Sequence, residues 1–339
     1  MRTLGAVGLV LVVAATLAEC VRDVSAPPPA TYAEQFDSFW NTFDANYSYF
    51  DFKGIDWSVL RIAFTSRARS APNEAALVAM LSLMVVPLRD VHVTFVDPAG
   101  VQLPTTVPER PTNFDAGISK QQLSSTDYEQ ETPYFGYGRL RGVGYIRINQ
   151  WADSTVSSAD LDAALAHFRG DPNLIIDVRM NRGGDDSLAY KFAARFNTTN
   201  RVVGYFKVRN GQGHGDFDPL VTRVLGVRGP FQFTGRVLVL AGRSSFSANE
   251  SFISAMRELP DVTIVGDTTG GGSGDPQTFD LGGGYRYTVS RWIEYTADRR
   301  VIEWNGIPPD LFVPWDLSLV KQGRDPVLET ALSLLGSSP

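Results

Sequence analysis

The stretch from Val237 to Gly274, VLVLAGRSSFSANESFISAMRELPDVTIVGDTTGGGSG, constrains the fold more than any other. Val237-Leu-Val-Leu240 has the length and β-branched composition of a fully buried strand. Gly242 and the serines Ser244, Ser245 and Ser247 break it. From Ala248 to Glu258, Phe252, Ile253 and Met256 recur at helical spacing, which predicts a helix. A second buried strand, Val262-Thr-Ile-Val265, ends in a glycine-rich loop. Strand, serine turn, helix and strand present a hydroxyl at a helix N-terminus, where free amides and the positive dipole end stabilise an oxyanion. The same serines would serve equally well as helix caps.

The 339 residues, 43% hydrophobic, supply core enough for one large domain or two unequal ones. With a formal charge of −6 and no basic cluster, nucleic acid is not an expected partner. The apolar run Leu4–Ala18 behind Arg2 is shorter than the ~20 residues of a membrane span and suits a secretory signal. Cys20, the only cysteine, follows it and resembles the lipid-attachment cysteine of bacterial lipoproteins, although Glu19 stands where a small residue is usual. Disulfides within the chain are excluded. Export to the periplasm or cell envelope is therefore expected, with membrane attachment through a Cys20 lipid as its further form.

Residues 1–20 thus read as a signal and 21–31, with three consecutive prolines, as a linker. Thr31-Tyr-Ala-Glu34 matches a capping box, and Phe36, Phe39, Trp40, Phe43 and Tyr47 follow as one amphipathic stripe. Further helices begin at Asp56-Trp57 and Asn73, and alternation starts near His92, so 32–97 reads as a small helical domain ending in a β segment. The proline-spaced, weakly patterned residues 98–135 read as an extended connection, and from 136 to 335 the pattern is α/β. Within it, Val143–Ile148 and Leu174–Val178 are predicted strands, Ala159–Phe168 and Leu188–Phe196 helices, and Tyr285–Ser290 with Trp292–Tyr295 a strand pair.

Four segments, in order, resemble the tail-specific or C-terminal-processing serine peptidases, a family that includes the tricorn protease core. They are Leu88–His92, the IIDVRMNRGG run ending at Gly184, SFSANE from Ser245 with GDTTG from Gly266, and GIPPD from Gly306. The resemblance implies an α/β fold with a crotonase-like (ββα) core preceded by a small helical domain. Many such peptidases carry a PDZ module before the core, but too few residues separate His92 from Val143 to hold one.

By the same resemblance Ser247, three residues before Glu250, is the nucleophile. The lysine that activates the serine in many members falls on Gly272, so a Ser–Lys dyad built on this motif is not available. A serine hydroxyl needs a base, and the chain has three histidines. His167 reads as a surface residue and His214 as part of a loop, whereas His92 falls where the tricorn-like branch has its catalytic histidine. That branch orients the ring through a serine, here Val91, and a glutamate, here Glu303; Asp90 is a second candidate. The oxyanion donors implied are the amides of Gly183 or Gly184 and of Ala248. No metal-ligating cluster stands out, and the Gly270–Gly272 and Gly282–Gly284 runs lack the ending of a nucleotide loop, so no cofactor is expected.

The expectation is an exported serine peptidase acting on peptide or protein substrates. Two alternatives stay open: an esterase or amidase, and a non-catalytic binding protein, because the retinoid-binding protein of the eye resembles the same core.

Overall fold

The computed structural model describes residues 31–105, 112–123 and 129–336. The expected signal, its apolar run and Cys20 lie outside the described residues. Helices α1 (Tyr32–Asn46), α2 (Phe50–Lys53), α3 (Trp57–Arg69) and α4 (Glu74–Val85) come first. The capping box at Thr31 is formed, and Asp56 and Asn73 cap α3 and α4 through their side-chain oxygens. Two short strands follow, β1 (Thr94–Val96) and β2 (Gln102–Pro104). Between 98 and 135 the described residues also form α5 (Ala116–Leu123) and β3 (Glu129–Thr132).

The rest of the chain alternates strand and helix: β4 (Phe135–Leu140), β5 (Val143–Ile148), α6 (Ser158–His167), β6 (Asn173–Asp177) and α7 (Asp186–Ala193). Next come β7 (Arg201–Val208), β8 (Val221–Leu225), β9 (Arg236–Ala241), α8 (Ala248–Arg257) and β10 (Val262–Gly266). The chain closes with β11 (Pro276–Gly282), β12 (Tyr285–Ser290), β13 (Trp292–Thr296), β14 (Leu311–Phe312), α9 (Leu317–Val320) and α10 (Pro326–Leu334).

The central sheet has the order β14-β10-β9-β6-β5-β4-β3. Its strands from β14 to β5 run parallel, and β4 and β3 add antiparallel at one edge. The continuous apolar runs of β6 and β9 follow from this: Ile175, Ile176, Leu238 and Val239 are fully buried with residues on both faces. One face packs against Leu161, Leu188, Phe252 and Met256 of α6, α7 and α8. The other packs against Val327, Leu328, Ala331 and Leu332 of α10.

The aromatic stripe of α1 packs on strands that arrive much later in the chain. Phe36, Phe39 and Phe43 share a core with Tyr287, Val289 and Ile293, and the Phe39 and Tyr287 rings lie 4.8 Å apart. Correspondingly β1 joins a sheet of order β11-β12-β1-β2, with Phe95 opposite Tyr287. Strands β12 and β13 were expected to pair with one another, and they do not. β12 pairs with β11 and β1, whereas β13 pairs with β7. Only Arg291 lies between them, too little chain to reverse direction, and the amides of Arg291 and Trp292 both donate to the Gly274 carbonyl at this crossing.

Candidate active site

Ser247 occupies the N-cap of α8 with φ 56° and ψ −132°, a conformation that side-chain-bearing residues rarely adopt, and makes no capping hydrogen bond. The turn is held by the backbone: Ser247 N–H donates to the Gly272 carbonyl at 2.8 Å, and its carbonyl accepts Glu250 N–H at 2.7 Å. Ser245 is fully buried and fully used. Its hydroxyl donates to the Val178 carbonyl at 3.0 Å and accepts Gly242 N–H at 3.3 Å. Asn249 donates to the same Val178 carbonyl at 3.0 Å and accepts from the Trp151 indole at 3.1 Å. Ser245 and Asn249 therefore pin the turn to the end of β6. The half-buried Ser247 hydroxyl has no such task among the described residues.

The turn after β6 meets this one. A Cβ at Gly183, where φ is +99°, would lie 2.7 Å from Ser247 Cβ and 3.0 Å from the Ala248 nitrogen, so only glycine fits. Gly184, with φ +130°, passes closer still to the Trp151 backbone, where a Cβ would meet the carbonyl oxygen at 1.9 Å. The Gly183 amide is already donated to Asn181 Oδ1 at 2.8 Å. The amides of Gly184 and Ala248 have no such partner among the described residues. Behind the turn, buried Arg179 bonds Asp177 at 2.6 Å and Asp325 at 2.8 Å, which neutralises a cation that could not otherwise sit there.

Glu250 organises the glycine loop. Its carboxylate is fully buried and accepts Gly271 N–H and Gly272 N–H, each at 2.9 Å, and the Thr269 hydroxyl. Burial pushes its pKa up to about 7 against the pull of those donors. The loop then separates the two halves of the site: a Cβ at Gly272 would meet Val91 Cγ2 at 2.5 Å and Phe246 Cδ1 at 3.0 Å. Val91 precedes His92 and Phe246 precedes Ser247, so the single residue Gly272 lies against both neighbours.

His92 follows a short 3-10 turn, Val86–Leu88, and leads into β1. Its N–H donates to Asp90 Oδ1 at 2.9 Å and its carbonyl accepts the Thr288 hydroxyl at 2.6 Å. The ring is 12% exposed, and Nδ1 stands 4.0 Å from Asp90 Oδ1 without a hydrogen bond. Burial lowers its pKa most, Asp90 and Asp275 oppose that, and the charge of Lys53 adds to it. Burial thus favours the uncharged form of the ring.

Glu303 is paired with Lys53. Its Oε1 lies 2.5 Å from Lys53 Nζ, and Oε2 accepts Ser273 N–H at 3.0 Å. Burial and the charge of Asp90 push its pKa up to about 8, with Lys53 pulling the other way. Asp90, not Glu303, is the carboxylate beside His92. His167 is exposed against Tyr137, and His214 bonds Asp44 at 2.9 Å with its ring tilted against Phe50 at 4.5 Å. Lys53 was missed by sequence reasoning, although it continues the spacing of the apolar stripe from Phe50.

The family model of peptidase family S41 matches residues 142–313, half of the chain, and that of the tricorn protease C1 domain matches 28–86. The chain belongs to peptidase family S41. Within the family it is 31% identical over 183 residues to a CtpA-like serine protease of Staphylococcus epidermidis, covering 52% of this chain and 35% of that one. It is 26% identical over 172 residues to the carboxy-terminal processing protease CtpA of Bacillus subtilis, covering 50% and 34%. The match thus spans about a third of the length of these S41 relatives. A solved structure of a candidate peptidase from Parabacteroides merdae superposes with a TM-score of 0.81 at 30% identity, covering 90% of this chain and 97% of that one. The α/β fold with a helical N-terminal region is that of the family.

Proposed function

We propose that the chain is a serine peptidase of peptide or protein substrates, with Ser247 as nucleophile and His92 as general base. The observation that carries this reading is the strained backbone of Ser247, which makes no cap and sets its Cβ against Gly183. In the first step the Ser247 hydroxyl attacks the scissile carbonyl carbon, and its proton passes to the neutral His92 ring. The carbonyl oxygen takes the negative charge, opposite the amides of Ala248 and Gly184. Collapse of that intermediate breaks the C–N bond, and His92 returns the proton to the leaving amine. Water then repeats the sequence on the acyl-serine. In this reading Asp90, whose Oδ1 lies 4.0 Å from Nδ1, orients the imidazolium, and Glu303 pairs with Lys53.

The test is covalent labelling by a serine-directed fluorophosphonate together with cleavage of peptide and ester substrates. Labelling that is lost in Ser247→Ala, with peptide cleavage, supports the reading. No label in the folded wild type supports a binding protein instead, and ester cleavage without peptide cleavage supports an esterase. We also propose export with lipid attachment at Cys20, supported by the apolar run behind Arg2 and the lone cysteine after it. Cell fractionation and the mass of the mature N-terminus test this; an intact Met1 on a cytoplasmic protein overturns it.

A further inference from the structure

Lys53 ends α2, and its side chain is fully buried at 0% exposure. An ammonium withdrawn from water is costly unless its donors and charge are matched. Here the three donors are matched by Glu303 Oε1 at 2.5 Å, the Leu88 carbonyl at 2.8 Å and the Tyr47 hydroxyl at 2.9 Å. The rings of Tyr47, Tyr49 and Trp304 surround it, with centroids 5.6, 5.1 and 5.0 Å from Nζ. Asp90 Oδ2 is 3.7 Å from the same nitrogen and accepts the Tyr47 hydroxyl at 3.0 Å. The other oxygen of Asp90 accepts His92 N–H and faces Nδ1 of the ring. A continuous chain therefore runs from Glu303 through Lys53 and Tyr47 to Asp90 and His92.

We propose that Lys53 is a positioning residue for catalysis: gripped by Glu303, Leu88 and Tyr47, it fixes the Asp90 carboxylate where it receives the His92 ring. The proposal rests on the reading of His92 as the general base. It gives a site with Val91 in front of the histidine, which offers no hydroxyl, a carboxylate that bonds the His92 backbone N–H and lies 4.0 Å from Nδ1. It also makes α2 part of the active site, because no residue of the S41-matched segment supplies this cation. The groups facing His92 are Asp90, Lys53 and Asp275; those facing Asp90 are Lys53, Tyr47, Ser290 and, farther off, Glu303. Lys53 acts on the ring in two ways, by placing Asp90 and by lowering the affinity of the imidazole for a proton.

The experiment measures the rate of inactivation of the full chain by a fluorophosphonate as a function of pH, with thermal unfolding as the check on folding. Lys53→Met should lower the plateau rate at least about tenfold and move the midpoint to higher pH. In an Asp90→Asn background the same substitution should cost less than about twofold more, because both act through one carboxylate. If Lys53→Met does not fold, Lys53→Met combined with Glu303→Gln removes the cation with the carboxylate it neutralises, and the same comparisons apply. Additive losses, or a midpoint that stays or falls, overturn the proposal. Labelling that is indifferent to His92→Ala overturns the base assignment instead, whatever Lys53→Met does.

Discussion

Glu250 and Gly272 are joined at 2.9 Å, carboxylate to amide, and the carbonyl of that same glycine accepts the Ser247 N–H at 2.8 Å. The glutamate three residues beyond the serine thus acts on it through a loop more than twenty residues away in sequence. Glu250→Gln places an NH2 against an amide donor and frees the loop. Thermal unfolding should report a loss of about 1–3 kcal/mol, and turnover should fall along with it. Unchanged turnover and stability would show that Gly272 does not need this anchor.

Gly183→Ala should be more severe for activity than for folding. The added methyl has nowhere to go, with Ser247 Cβ 2.7 Å away and φ at +99°. Pushing the two turns apart displaces an oxyanion donor, which costs on the order of 10²–10³ in turnover. Active-site titration alongside circular dichroism separates the two effects.

Ser245 and Ser247 should respond to alanine in opposite ways. Ser245→Ala removes hydrogen bonds to Val178 and Gly242 inside the core, at about 1–3 kcal/mol, yet keeps the fluorophosphonate label. Ser247→Ala removes the label and leaves the melting temperature nearly unchanged, because its hydroxyl caps nothing. A label that survives in Ser247→Ala and vanishes in Ser245→Ala would reverse the assignment.

The buried carboxylates set a direction for stability against pH. Glu250 and Glu294 are raised to about 7 and Glu303 to about 8 by burial, above the ordinary value of 4.5. Between those limits the folded state binds more protons than the unfolded one, so stability is full below the ordinary value and is lost as pH rises through 7 to 8. Asp90 and Asp177 are lowered and contribute the reverse: their stabilisation is present above their ordinary value of 3.8 and fades on further acidification. Melting temperatures should peak in mildly acidic buffer and decline toward alkaline pH. A steady rise across that range would contradict the assignment.

Activity should run the other way. The proposed base, His92, must be neutral to act, and burial lowers its pKa from 6.5, so turnover should be retained at neutral pH and lost as pH falls through a midpoint below that value. Asp90→Asn should cost more than Glu303→Gln, since of these two carboxylates it is Asp90 that lies 4.0 Å from the ring. The reverse order would return the orienting role to Glu303.

What the sequence revealed was local. The run from Val237 to Gly274 reads as strand, turn, helix and loop because each piece carries its own periodicity, and β9, α8 and β10 lie where that pattern puts them. The capping box at Thr31 and the predicted strand over Leu174–Val178 were legible for the same reason. Pairing between distant strands has no local signature. Tyr285–Ser290 and Trp292–Tyr295 both look like strands, but nothing in either says that one pairs with β1 and the other with β7. Lys53 was hidden likewise: a lysine among aromatics reads as an exposed residue until Glu303 and Asp90 are brought to it.

The late arrival of β12 has a consequence for biosynthesis. Thr94 and Thr288 are bonded across 194 residues of sequence, and the His92 carbonyl is held by that same Thr288. A nascent chain that has already made the serine turn still lacks the strand that seats its histidine. The backbone that carries His92 is therefore completed only when synthesis has passed Thr288, well after the residues of the serine turn have been made.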